Sequence, residues 1–124
     1  MSRPISPHLT WYKPQITSVL SIMHRFTGIA LAAGALALAW WVVAVAIGGE
    51  VFTGTTAVYT SVIGQIVLAL WTLALAFHMS NGIRHLCWDA GWGFQMRQVR
   101  SSGWLTLAMT VILTALVWVF VLLV

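Results

Sequence analysis

Three long stretches without Asp, Glu, Lys or Arg constrain this chain more than any other feature: Phe26 to Gly49, Val51 to Ile83 and Ser101 to Val124. About 20 consecutive apolar residues carry an α-helix across a bilayer, so each stretch is long enough for one span. The second is too short for two spans and a turn. Helices are expected near 19–47, 58–88 and 103–124, the first starting upstream of Phe26 because Val19, Leu20, Ile22 and Met23 continue its apolar pattern. Composition agrees with lipid as the solvent. Of 124 residues, 60% are apolar and 6% charged, whereas soluble domains carry about a quarter charged. A chain this short cannot hide so much apolar surface in one core. The expected fold class is an all-α membrane protein with three transmembrane helices, a polar segment at 1–18 preceding a membrane domain at 19–124.

The net charge of +4 and pI near 10.3 do not indicate a nucleic-acid partner. They come from six Lys/Arg against two acids, with no cluster denser than Arg97 and Arg100. Cys87 has no second cysteine for a disulfide and no partner at metal-site spacing. A cleavable signal peptide is not expected, because a polar, Pro-containing segment separates the N-terminus from the first apolar stretch.

Basic residues set the orientation. Arg3, Lys13 and Arg25 precede or open helix 1, and Arg84, Arg97 and Arg100 flank the connection between helices 2 and 3. The loop expected from Gly48 to Ala57 holds Glu50 and no Lys or Arg, and the C-terminus has none. Positive charge marks the cytoplasmic side. The expected topology is N-terminus cytoplasmic and C-terminus periplasmic, with Trp11, Tyr12, Trp88, Trp92 and Trp104 near the inner boundary.

Polar side chains inside a span cost roughly 2.5–3.5 kcal/mol on insertion scales and are functional candidates by default. Helix 1 offers Ser21, His24 and Arg25; helix 2 offers His78, Asn81, Arg84 and His85, followed by Asp89. Ser21, His24 and Gly28 share one helical face, as do His78, Gly82 and His85. Antiparallel helices bring both groups to the inner end, where they outline a polar pocket. Plainer readings exist for each residue taken alone. A lone histidine bonds a neighbouring carbonyl, Arg25 and Arg84 snorkel to headgroups, and Ser21 bonds its own helix. The convergence of both groups at one end favours a site. The last helix holds only Thr hydroxyls beyond its start and is expected to pack.

Histidine is a usual axial ligand of haem, and Gly82 would let a flat macrocycle approach the backbone of helix 2. His78 and His85 lie about 10.5 Å apart along the axis, so they cannot share one iron. Each needs a histidine from another helix. His24 is a candidate, although the expected boundaries put it shallower than His78, and a second polypeptide is the simpler source. A stacked two-haem arrangement is disfavoured by the same spacing.

Three motifs resemble those of a known family, the cytochrome b556 membrane-anchor subunit of succinate dehydrogenase, respiratory complex II. Arg3-Pro4-Ile5-Ser6-Pro7-His8-Leu9, ending with Tyr12, is similar to its RPxSPHLxxY segment. Ser21-Ile22-Met23-His24-Arg25-Phe26-Thr27-Gly28 resembles SIxHRxTG, and His78 to Asp89 resembles HxxxGxRHLxxD. The resemblance implies a three-helix protein in a bacterial inner membrane, paired with a second membrane-anchor subunit that is also three-helical. The pair would hold one haem b and dock an iron–sulfur subunit and a flavoprotein subunit on the cytoplasmic face. Electrons from succinate would reach ubiquinone or menaquinone. By the family pattern His78 is the haem axial ligand, Ser21 and Arg25 line the quinone site, and His24, Arg25 and His85 lie near the haem propionates. No residue of this chain is expected to be catalytic in isolation.

Two other classes compete. One is a cofactor-free structural assembly anchor; the other is a small transporter with a His/Arg proton path. The transporter is weak, because Glu50 and Asp89 both sit at span boundaries.

Overall fold

In hydrocarbon a backbone has no hydrogen-bond partner but itself, so each apolar stretch closes its N–H and C=O groups into a helix. The computed structural model of the chain describes residues 16–93 and 95–124. The Arg3 to Tyr12 motif, and most of the expected 1–18 segment, lie outside the described residues. Those described form four helices: α1 (Ile16–Ile47), α2 (Gly49–Tyr59), α3 (Val62–Asp89) and α4 (Met96–Leu123). Three of them, α1, α3 and α4, are long and apolar enough to cross a membrane. The 28 residues of α3 rise about 42 Å at 1.5 Å per residue, beyond the ≈ 30 Å hydrocarbon layer. α3 is the central helix, packed against both α4 and α1, while α1 and α4 touch more lightly.

The interior is inverted relative to a soluble bundle. Leu20, Ala44, Ala76 and Phe77 are buried apolar side chains, and Thr27, Asn81, Arg84, Thr106 and Thr110 are buried polar ones. The outside is apolar on every helix: Phe26, Leu36, Val62 and Leu122 are each more than 70% exposed. Water does not tolerate contiguous apolar surface on that scale; lipid or partner helices do.

The structure departs from the expected boundaries at the second span, where α3 begins at Val62 rather than near 58 because Val58 and Tyr59 belong to α2, and in three further places. First, α1 is already helical at Ile16, ahead of the expected start near 19. Second, the stretch expected as a loop at 48–57 is helix α2. Gly48 and Gly49 take φ of 72° and 57°, a left-handed conformation that glycine adopts without strain, and the chain turns there. α2 is then tied back to α1 by Tyr59 Oη donating to the Ala37 carbonyl (2.7 Å) and Trp40 Nε1 donating to Thr55 Oγ1 (3.2 Å). Its Gly- and Thr-rich sequence has weak helix propensity, so tertiary contacts decide. Ser61 opens α3 as an N-cap, its hydroxyl accepting from Gly64 N at 3.2 Å.

Third, α4 begins at Met96, seven residues before 103. Its first turns carry Arg97, Gln98, Arg100, Ser101 and Ser102, which hydropathy cannot assign to a span. A Schellman turn precedes it: Trp92 N donates to the Cys87 carbonyl and Gly91 N to the Trp88 carbonyl, both at 2.9 Å. Along α4, Thr106, Thr110 and Thr114 donate to the Ser102, Thr106 and Thr110 carbonyls at 2.7–2.9 Å. These hydroxyls are satisfied within their own helix, as a packing helix requires.

Candidate functional site at the polar end of the bundle

Side chains four and seven residues apart on a helix share a face, and the α1 and α3 faces meet. His24 lies flat on His78, with ring centroids 3.9 Å apart and planes 9° from parallel. His24 also meets His85 at 5.2 Å, tilted by 52°, and His85 stands edge-on to Trp88 at 5.0 Å. Three histidines from two helices therefore form one cluster. The expectation that His24 sits shallower than His78 is corrected: the register in which α1 packs against α3 sets the two rings face to face at one level.

Thr27 completes the contact. Its Oγ1 lies 3.1 Å from His78 Nδ1 and donates to the His24 carbonyl at 3.0 Å. A Cβ on Gly28 would come within 3.2 Å of His78 Cε1, so glycine is what lets the imidazole lie against α1.

Beside the histidines is a cavity of about 440 Å³, lined by Ser18, Ser21 and Arg25 from α1 and by Arg84, His85 and Trp88 from α3. Ser21 and Arg25 are exposed and His85 half-buried. Of the residues singled out from sequence, Ser21, Arg25, Arg84 and His85 meet at this cavity, and His24 and His78 meet next to it. Asp89 is exposed at the end of α3 and does not line the cavity.

Arg84 does not snorkel. It is 6% exposed and reaches α4, where Nε donates to Ser102 Oγ (2.9 Å) and Nη2 to the Val99 carbonyl (3.1 Å). Nη1 donates to Asn81 Oδ1 at 3.3 Å, and the guanidinium carbon sits 4.2 Å over the Trp88 ring. These partners are all neutral, so its positive charge acts on the adjoining cavity. Thr27 and Ser18 escaped the sequence reading. Thr27 was findable one turn from His24 and beside Gly28; the Arg84 bonds depend on which helices pair.

The donor set fits a haem. Nδ1 of His78 is engaged by Thr27, leaving Nε2 as the nitrogen available to a metal. A Cβ on Gly82, one turn from His78, would meet nothing within 4 Å, so open space flanks the helix where a macrocycle would approach. His24 Nδ1 is buried without a hydrogen-bond partner, an unmet polar group beside His78. Among the described residues no three His, Cys, Asp or Glu groups are placed to hold a bare ion, so iron at His78 would draw most of its ligands from elsewhere. The His24 and His78 rings lie face to face, so their nitrogens do not converge on one point between them, and a second imidazole for iron at His78 would come from elsewhere.

Fold and site together define a helical membrane protein with a histidine- and arginine-lined polar site at one end of its bundle. Residues 1–117 match the family described as succinate dehydrogenase/fumarate reductase transmembrane subunit, and the chain belongs to that family. Among its relatives, the succinate dehydrogenase cytochrome b556 subunit of Rickettsia typhi is 43% identical over 117 residues, covering 94% of this chain and 91% of the relative. The cytochrome b556 subunit of Paracoccus denitrificans is 38% identical, covering 93% and 88%. The cytochrome b560 subunit of Reclinomonas americana is 34% identical, covering 96% and 86%.

Proposed function

We propose that this chain is a membrane-anchor subunit of succinate:quinone oxidoreductase, holding one haem b jointly with a second anchor subunit and lining the site of quinone reduction. The observation that carries this reading is the meeting of Ser21, Arg25, Arg84 and His85 at one cavity beside the His24–His78 stack. Its volume lies within the roughly 300–1,000 Å³ range of small-molecule sites. As a quinone is reduced, negative charge develops on its oxygens. The Arg25 guanidinium and the Ser21 hydroxyl are donors suited to that charge, with the Arg84 charge behind them.

His78 is the axial ligand in this reading, with the opposite imidazole supplied by the partner anchor. His24, Arg25 and His85 would compensate the haem propionates. When bound, haem would supply a one-electron centre. Iron–sulfur and flavoprotein subunits dock at the same end, and the one-sided placement of basic residues supports a cytoplasmic location for it. The 1–18 segment then lies on the cytoplasmic side of a bacterial inner membrane, and ubiquinone or menaquinone is the electron acceptor.

A visible spectrum of the purified complex tests this reading. Low-spin haem b is expected in the wild type, with haem lost or high-spin in His78→Ala. An assembled, haem-free wild-type complex would favour the alternative of a purely structural anchor.

A further inference from the structure

Thr27 has one hydroxyl hydrogen and two neighbours. The hydrogen is donated to the His24 carbonyl at 3.0 Å, a bond within α1. Only the oxygen lone pairs then remain for His78 Nδ1, 3.1 Å away on α3. Both contacts are made at once when His78 carries its proton on Nδ1 and donates it to Thr27. A proton on Nε2 instead would leave two acceptors, the carbonyl and Nδ1, competing for one hydroxyl hydrogen.

We propose that Thr27 is a positioning residue that fixes the Nδ1–H tautomer of His78, aims its Nε2 and sets the donor strength of that nitrogen toward haem iron. The inference rests on His78 being the axial ligand. Its physical basis is general: a ligating imidazole donates its other N–H to an acceptor, which fixes ring orientation and raises the basicity of the metal-bound nitrogen. Here the acceptor is itself immobilised. The β-branched Thr27 side chain is restricted about χ1, is buried and is anchored to its own helix. Gly28 and the flat His24 ring hold the imidazole from two further directions, so ring rotation is blocked as well as tautomer exchange.

A more basic Nε2 favours the ferric state, because the higher charge gains more from a stronger donor. Removing the acceptor should therefore raise the midpoint potential of the haem. The test is a redox titration of the haem α-band, with low-temperature EPR of the ferric haem, in the assembled complex carrying Thr27→Ser, Thr27→Cys or Thr27→Val. Thr27→Ser keeps the hydroxyl and should titrate with the wild type. Thr27→Val should raise the midpoint potential, with every tenfold shift of the ferric/ferrous balance toward ferrous reading as about 59 mV for one electron, and displace the EPR g-values. Thr27→Cys, with a weakly accepting sulfur, should fall between them, and it carries the test if the valine variant does not assemble.

A merely structural polar contact between α1 and α3 would lower thermal stability across the series and leave the potential unmoved. Equal potentials and g-values in all variants would overturn the role of Thr27 while leaving His78 as ligand. A low-spin haem that survives in His78→Ala would instead remove the axial-ligand reading itself.

Discussion

Arg84 on α3 donates from Nε to Ser102 Oγ on α4 at 2.9 Å, and the bond joins the polar site to the helix that otherwise only packs. The same guanidinium reaches the Val99 carbonyl and Asn81 Oδ1 while lying over Trp88. One planar group thus spans two helices and two faces, using donors that diverge in fixed directions. The end of the bundle nearest the cavity is held by this fork as much as by apolar packing.

Lysine keeps the charge and loses the fork. Arg84→Lys should abolish at least two of the three hydrogen bonds, and hydrogen bonds to charged groups are worth about 1.5–3 kcal/mol each. The expected outcome is a complex that loses its anchor subunits at lower temperature in detergent. Ser102→Ala should have a smaller effect, because the Val99 carbonyl remains. An Arg84→Lys complex as heat-resistant as the wild type would show that the fork is not what joins α3 to α4.

Gly34 supplies a second, apolar junction. A Cβ there would overlap the indole of Trp71, with Nε1 and Cδ1 its nearest atoms. Gly34→Ala should push α1 and α3 apart, at about 1–3 kcal/mol for an overpacked contact. Trp71→Leu should cost stability alone yet partly rescue Gly34→Ala, since the overlapping atoms are gone. Assembly yield and thermal midpoint of the four-member cycle measure that coupling. Strictly additive losses would mean that the helices accommodate the methyl elsewhere.

Topology has an equally direct test. A reporter fused after Val124 should be periplasmic, and one inserted between α3 and α4 cytoplasmic. The motive is the one-sided placement of basic residues: Arg25, Arg84, Arg97 and Arg100 all lie at the end of the bundle opposite α2 and Val124. Inverted signals from both fusions would reverse the orientation and detach the cavity from cytoplasmic partners.

What sequence could reveal follows the physics of each feature. The long apolar helices were legible because hydrocarbon demands runs of about 20 apolar residues, a constraint that acts locally along the chain. Ser21, His24, Arg25, His78 and His85 stood out because ionisable and polar groups are rare within such runs. The α2 helix was not legible, since its bonds to Ala37 and Trp40 come from α1. The first turns of α4 were hidden for a different reason: they are helical but polar, and a hydropathy criterion ends where apolar residues end. Arg84 illustrates the same divide. Its charge near a span end is equally suited to snorkelling or to burial, and only the placement of Val99 and Ser102 decides.

The last expectation concerns electron delivery. Arg25 and Ser21 are four residues apart on α1 and line the same cavity as Arg84 and His85. If Arg25 only neutralises lipid headgroups, Arg25→Lys should be nearly silent, because the charge is kept. If it donates fixed hydrogen bonds to a quinone, lysine is no substitute for the planar guanidinium. Arg25→Lys and Ser21→Ala should each cut succinate-driven quinone reduction while leaving succinate oxidation with a soluble dye largely intact, since the dye takes electrons before the membrane. Removing one donor at a centre of developing charge costs on the order of 2.7–4 kcal/mol in a water-excluded site. The exposure of both side chains sets the expected loss below that range, nearer tenfold than a thousandfold in rate. Parallel loss in both assays would signify failed assembly, and full quinone reduction in both variants would exclude the two residues from the quinone site.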